Sequence, residues 1–178
     1  ANSNHGPHTP DTSIGGMPVA GAARTESGEK TTIRNDYIYE NDVALGRMID
    51  WLESTQDPRN PGSKLIENTI VLFTSDNGGE LNVTSNAPLR GGKSQLYEGG
   101  IRVPLIVSWP KEIPKNKTSE QPTSNVDFYP TLLKAANITP DKSQALDGVS
   151  ILQTFRNPEV APTRKALHWH YPLEKPHF

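Results

Sequence analysis

The sequence predicts an α/β fold, and three observations carry that prediction. Ile70 to Phe73 is a short apolar run, rich in branched and aromatic residues, and it ends abruptly at Asp76-Asn77-Gly78-Gly79. Such a run closed by a turn signal reads as a strand buried on both faces. Upstream, Asp36 to Ser54 sets Ile38, Leu45, Met48, Ile49 and Leu52 at roughly 3.6-residue spacing, which reads as an amphipathic helix. Between the two, Gln56-Asp57-Pro58-Arg59-Asn60-Pro61-Gly62 breaks any regular structure. The resulting helix–loop–strand order fits one α/β unit in which the helix covers the sheet.

The remaining segments fall around that unit. Residues 1–30 carry histidine, glycine, proline and serine without periodicity and read as a loop. Leu105 to Val107 reads as a second apolar strand, reached through Tyr97-Glu98-Gly99-Gly100-Ile101-Arg102-Val103-Pro104. Residues 110–122 are polar and punctuated by proline, so they form another loop. Asp127 can cap a helix running to about Ala136, with Pro130 inside the tolerated first turn. Beyond Ser150 the pattern weakens, and His168-Trp169-His170-Tyr171-Pro172 is an aromatic, half-apolar piece.

Composition sets the outer bounds. The 178 residues match one ordinary domain in length, yet apolar content is only 33% while 16 prolines and 14 glycines are present. That balance suits a loop-rich piece of something larger. A formal charge of -2 gives no reason to expect nucleic acid or an acidic membrane as partner. No stretch is long and apolar enough to span a bilayer. Cysteine is absent, which excludes disulfides, thiolate metal sites and a cysteine nucleophile within these residues.

The chemistry concentrates between residues 69 and 110. Asp76 and Asn77 place a carboxylate and an amide oxygen at the carboxyl end of a strand, where open α/β sheets hold their ligands. Adjacent oxygen donors suit calcium or magnesium. Taken alone, the same four residues are ordinary turn chemistry. Lys93 follows the flexible Gly91-Gly92 pair, and a lysine near a divalent metal suits a tetrahedral anion, sulfate or phosphate. Most lysines are solvated surface groups, and that reading stands beside the functional one.

These segments carry a family resemblance. Residues 75–80 (SDNGGE) and residues 89–110 (LRGGKSQLYEGGIRVPLIVSWP) resemble the second half of the catalytic domain of formylglycine-dependent sulfatases, members of the alkaline phosphatase superfamily. Asn4-His5-Gly6-Pro7-His8-Thr9-Pro10 is similar to the family's histidine segment. Asn125 to Leu133 and Leu146-Asp147-Gly148-Val149-Ser150 are similar to its later signatures, in the same order.

The resemblance implies an α/β/α sandwich with a mostly parallel sheet. Residues 1–155 would form the C-terminal part of the catalytic domain, and residues 156–178 would begin a smaller C-terminal subdomain. It implies that Asp76 and Asn77 complete a calcium site, with magnesium also compatible, and that Lys93 and His8 bind the sulfate, His8 also assisting the departing alcohol. The family's nucleophile, a formylglycine made within a Cys/Ser-x-Pro/Ala-x-Arg motif, has no counterpart here. Its place is expected in a missing N-terminal half of the same protein. The implied activity is hydrolysis of sulfate esters of carbohydrates or aryl alcohols in a periplasmic, secreted or lysosomal setting. A phosphatase or phosphonate monoester hydrolase of the same superfamily, or a non-catalytic anion-binding fragment, is the alternative.

Other chemistry-bearing residues receive plainer readings. Glu98 and Arg102 are expected to form an ion pair bracing the glycine turn that aims Lys93. Asp127 is expected to be a helix cap and Asp147-Gly148 a turn. His5 is expected to neighbour the site. His168, His170 and His177 are as compatible with a substrate mouth as with a structural role. Asn82-Val83-Thr84, Asn116-Lys117-Thr118 and Asn137-Ile138-Thr139 fit the glycosylation triplet, which carries meaning only in a eukaryotic secretory protein.

Overall fold

A computed structural model of the chain describes residues 6–162 and 164–172. His5 and His177 lie outside the described residues. The chain divides into two compact units, Ala1–Asn68 and Thr69–Phe178.

The first unit is a loop wrapped on one long helix. The loop contains a two-residue hairpin, β1 (Ser13–Ile14) and β2 (Met17–Pro18), turned by Gly15 and Gly16 at φ 55° and 85°. A turn with two positive φ angles is one that glycine enters without steric cost. Helix α1 (Ile33–Ser54) starts three residues earlier than the apolar spacing indicates, because the Thr32 side chain accepts from the Asn35 N–H. A 3-10 turn at Leu65–Asn68 closes the unit.

The face that α1 buries differs from the expected apolar stripe. Leu52 is buried, but Ile38 and Met48 are exposed, and the buried positions are Asp36, Glu40, Val43 and Leu52. The acids are buried because the loop supplies backbone donors to them. Asp36 accepts from the Gly21 and Ala23 N–H groups at 2.8 and 3.0 Å, and Glu40 accepts from the Asp11 N–H at 2.9 Å. Buried carboxylates are tolerated when hydrogen bonds of this kind replace water. The loop before α1 is therefore held by carboxylates on successive turns of the helix.

The second unit carries a two-stranded sheet. Strand β3 (Val71–Thr74) pairs with β4 (Leu105–Ser108), with Leu72 opposite Val107 and Phe73 opposite Ile106. The pairing is antiparallel, so a mostly parallel sheet is not what these two strands form. Parallel neighbours need a helical crossover. Here the connection holds only a single helical turn, α2 (Glu98–Ile101), and a long loop returns the chain alongside β3 in the opposite direction. Nor is β3 buried on both faces. Leu72 and Val107 pack on the core, whereas the pair Phe73 and Ile106 on the other face is 50% and 60% exposed.

The core of this unit is built from residues on both sides of a helical clasp. Trp109, Ile151, Leu152 and Phe155 are buried together, with Ile70, Leu72, Val107, Ile113 and Ala135 packed around them. Three of the four come from helix α4 (Leu152–Arg156) and the residue before it, a segment where sequence periodicity is weak. Full burial of each such side chain is worth about 1.5–3 kcal/mol.

Helix α3 (Phe128–Ala135) follows a 3-10 turn at Asn125–Asp127. Asp127 stands at the N-cap position of α3, but its side chain makes no cap bond to that helix. Ser124 and Asp127 instead form a reciprocal capping box on the 3-10 turn, the Asp127 carboxylate accepting from the Ser124 N–H at 2.8 Å. Asp127 is also fully buried and binds the Val149 N–H at 2.9 Å and the Arg164 guanidinium. Thr131 adds a second tie, donating to Asp127 O and accepting from the Ile151 N–H. These bonds fix the loop that delivers α4 to the core.

Candidate active site

Strand β3 ends where the chemistry begins. The Thr74 hydroxyl donates to Pro104 O at 2.8 Å, tying the end of β3 to the start of β4. The next residues turn away from the sheet. The Ser75 hydroxyl donates to Asn77 O at 2.9 Å, and the Asn77 N–H donates to Asp76 Oδ1 at 3.0 Å. Asp76 is exposed and Asn77 half-buried.

Glycine governs the close contacts after this turn. The Gly78 N–H donates to Gly100 O at 2.9 Å, and a Cβ on Gly78 would overlap the carbonyl of Gly99. The turn after β3 therefore lies directly on the backbone of α2. The Gly99 N–H in turn donates to Arg90 O at 2.7 Å, and a Cβ there would strike the Gly91 and Arg90 carbonyls. Only residues without a side chain allow three backbone segments to meet this closely.

Lys93 is brought to the same place by its own backbone. Its N–H donates to Gly79 O at 3.1 Å, three residues beyond Asp76. The lysine loop is shaped by Gly91 at φ 77° and by Gln95, whose Oε1 accepts from the Gly92 N–H at 3.0 Å. Among the described residues no ion pair or hydrogen bond engages the Lys93 ammonium, and the side chain is half-buried. The structure thus gathers Asp76, Asn77 and Lys93 into one loop cluster of the second unit.

The expected Glu98–Arg102 ion pair forms, with Nη1 3.0 Å from Oε2, but both side chains are more than 60% exposed. An exposed pair of this kind contributes about 0–1 kcal/mol. The glycine contacts, together with the Arg90 guanidinium stacked 3.9 Å from the Tyr97 ring centroid, set the turn more strongly.

His8 belongs to the first unit. Its ring meets Tyr37 edge-on at 6.0 Å, and the neighbouring Asp11 N–H is held by Glu40. His168 and His170 are exposed in a segment without regular structure. Asp147 is exposed at a bend.

One residue of the cluster carries no functional signal in the sequence. The Asn86 side chain accepts from the Gly79 N–H at 3.0 Å and donates to Gly79 O at 2.8 Å and Gly91 O at 3.0 Å. Its only sequence mark is a turn-forming amide just before Ala87-Pro88, inside a loop without periodicity.

The donor chemistry fits part of a calcium or magnesium site. Asp76 supplies a carboxylate that, among the described residues, bonds only to the adjacent Ser75 hydroxyl and Asn77 N–H, and Asn77 has an amide oxygen next to it in the chain. Among the described residues no group of three or more His, Cys, Asp or Glu could hold a metal, so Asp76 and Asn77 do not by themselves complete a ligand set. No described helix is long and apolar enough to cross a membrane.

Comparison with known proteins gives this geometry a family. The sulfatase family model matches residues 2–138. The chain is 40% identical over 135 residues to a sulfatase of Formosa agariphila, covering 74% of this chain and 24% of that protein. It is 32% identical over 129 residues to human steryl-sulfatase, covering 67% and 21%. It is 33% identical over 125 residues to human N-acetylgalactosamine-6-sulfatase, covering 67% and 22%. Among solved structures, Ps i-CgsB in complex with k-i-k-neocarrahexaose matches with TM-score 0.61 and 34% identity, over 69% of this chain and 26% of that one. A protein in complex with its substrate D-glucosamine-2-N,6-O-disulfate matches with TM-score 0.59 and 28% identity, over 81% and 28%. The chain spans about a quarter of the length of these relatives. Its α/β fold is that of its structural neighbours, and the chain belongs to the sulfatase family.

Proposed function

We propose that this chain is the part of a sulfuric ester hydrolase that supplies half of a metal site and the cation that binds the sulfate. The observation that carries the reading is the bond from the Lys93 N–H to Gly79 O. It seats a lysine loop on the turn that holds Asp76 and Asn77.

Asp76 and Asn77 would hold a calcium ion, with magnesium also compatible. A bound divalent ion would supply positive charge for the anionic ester and for the charge that develops as its bond breaks. A formylglycine elsewhere in the protein would supply the nucleophile. Lys93 acts as a fixed point charge toward a sulfate oxygen. Its backbone is anchored before substrate arrives, so little reorganisation accompanies the reaction. His8 is proposed to contact the sulfate ester and to place a proton on the departing alkoxide oxygen.

Carbohydrates stand in the names of several relatives and a sterol in another, which supports a sulfated carbohydrate as substrate class; an aryl sulfate is the other substrate class proposed. The sheet of the second unit is proposed to belong to an alkaline-phosphatase-like α/β/α sandwich completed by the rest of the protein. Residues 1–155 would lie in that domain and residues 156–178 in a smaller one. The test is hydrolysis by the full-length protein of 4-nitrophenyl sulfate against 4-nitrophenyl phosphate. Preference for the sulfate supports the reading. Preference for the phosphate moves the protein to the phosphatase branch of the superfamily.

A further inference from the structure

We infer that Asn86 is a positioning residue of the sulfate-ester site, acting through Gly79 and Gly91 on the distance between the metal turn and Lys93. This role rests on the proposed sulfatase function and adds to it a residue that touches neither metal nor ester.

A carboxamide offers one acceptor oxygen and two N–H donors in one plane. Asn86 uses all three on backbone: Oδ1 accepts from the Gly79 N–H, and Nδ2 donates to Gly79 O and Gly91 O. Gly79 follows the Asp76-Asn77-Gly78 turn directly, and Gly91 lies two residues before Lys93. Gly79 O also accepts from the Lys93 N–H, so one carbonyl receives both the amide and the lysine backbone. The amide is packed as well as bonded: a Cβ on Gly92 would lie 2.9 Å from Nδ2 and 2.6 Å from Gly79 O.

No other side chain satisfies this set. Aspartate would turn a carboxylate oxygen toward two carbonyls, alanine would remove the Asn86 bonds to the Gly79 N–H and Gly91 O and leave Gly79 O with the Lys93 N–H alone, and glutamine carries an extra methylene into occupied space. Loss of a supporting partner in the outer shell of a site typically costs about 10–100-fold in activity. Because Lys93 addresses the sulfate rather than the alcohol, the loss falls on sulfate recognition and does not depend on the leaving group.

The experiment is a double-mutant cycle in the full-length protein. Asn86→Ala, the isosteric Asn86→Asp, Lys93→Ala and both doubles are assayed on aryl sulfates of graded leaving-group pKa, with thermal melts and inhibition by inorganic sulfate as parallel readouts. Expected are a fall of about 10–100-fold in kcat/KM, uniform across the series, weaker inhibition by sulfate, and double mutants no slower than Lys93→Ala. Losses that multiply in the double mutants would overturn the role, as would wild-type kinetics in Asn86→Asp. So would a lowered melting temperature with unchanged kcat/KM per folded molecule. Wild-type protein without aryl sulfate turnover overturns the sulfatase reading itself and this role with it, which separates the two failures.

Discussion

Replacing Gly78 by alanine probes the contact on which the whole loop cluster depends. The added Cβ would sit inside the Gly99 carbonyl, 2.7 Å from its carbon and 2.9 Å from Gly100 Cα. These are backbone atoms, so no rotamer change relieves the overlap. Overpacking of a tight interior costs about 1–3 kcal/mol, and rigid backbone places this site at the upper end. Separating the segments also breaks the bond from the Gly78 N–H to Gly100 O, worth about 1 kcal/mol. The sum is a loss of roughly 3–4 kcal/mol, a large share of the roughly 5–15 kcal/mol that holds a domain folded. Gly46 serves as the control, because it lies within α1 and its Cβ would meet nothing within 4 Å. Gly46→Ala should stabilise by about 0.5–1 kcal/mol. The assay is urea unfolding of the full-length protein, followed by fluorescence, with sulfate-ester turnover measured alongside. Gly78→Ala within about 0.5 kcal/mol of wild type would refute the close-approach argument.

Three further outcomes are expected. Lys93→Ala should lower turnover by about 10²–10³-fold while the melting temperature stays near that of wild type; equal losses of activity and folded protein would make Lys93 structural. His8→Ala should slow esters of poorly acidic alcohols far more than esters of acidic phenols, since a sugar alkoxide needs a proton as it leaves; an equal loss across a leaving-group series would remove the acid role. The 178-residue chain by itself should not hydrolyse an aryl sulfate, because it has no cysteine and no formylglycine motif; turnover by the purified chain, with contaminants excluded, would contradict the assignment of the nucleophile to other residues.

Much of the framework was legible because local chemistry and fold agree. The apolar run ending in Asp76 became β3 with a shift of one residue, and Leu105 to Val107 lies within β4. The Glu98–Arg102 pair, expected as a brace of the glycine turn, forms across the single turn of α2. The direction of strand pairing was not legible, since it depends on how the connecting loop folds back. Helix α4 has five residues, too few for a period to show, although Leu152 and Phe155 anchor the core. The buried face of α1 escaped a reading based on apolar spacing because Asp36 and Glu40 bind backbone donors at distant positions in the chain. Asn86 escaped for the same reason. Its partners are carbonyls and an N–H brought together by glycine turns, and no spacing rule relates them.

The central claim is that the turn after β3 carries half of a metal site serving sulfate-ester hydrolysis. It is tested most directly by measuring bound calcium and magnesium, together with aryl sulfate turnover, in full-length wild type, Asp76→Ala and Asn77→Ala. The Asp76 carboxylate supplies charge that a neutral amide cannot, and water can partly replace the amide oxygen. Asp76→Ala should therefore lose both metal and turnover, while Asn77→Ala loses less of each. Full metal content and full activity in both variants would contradict the claim.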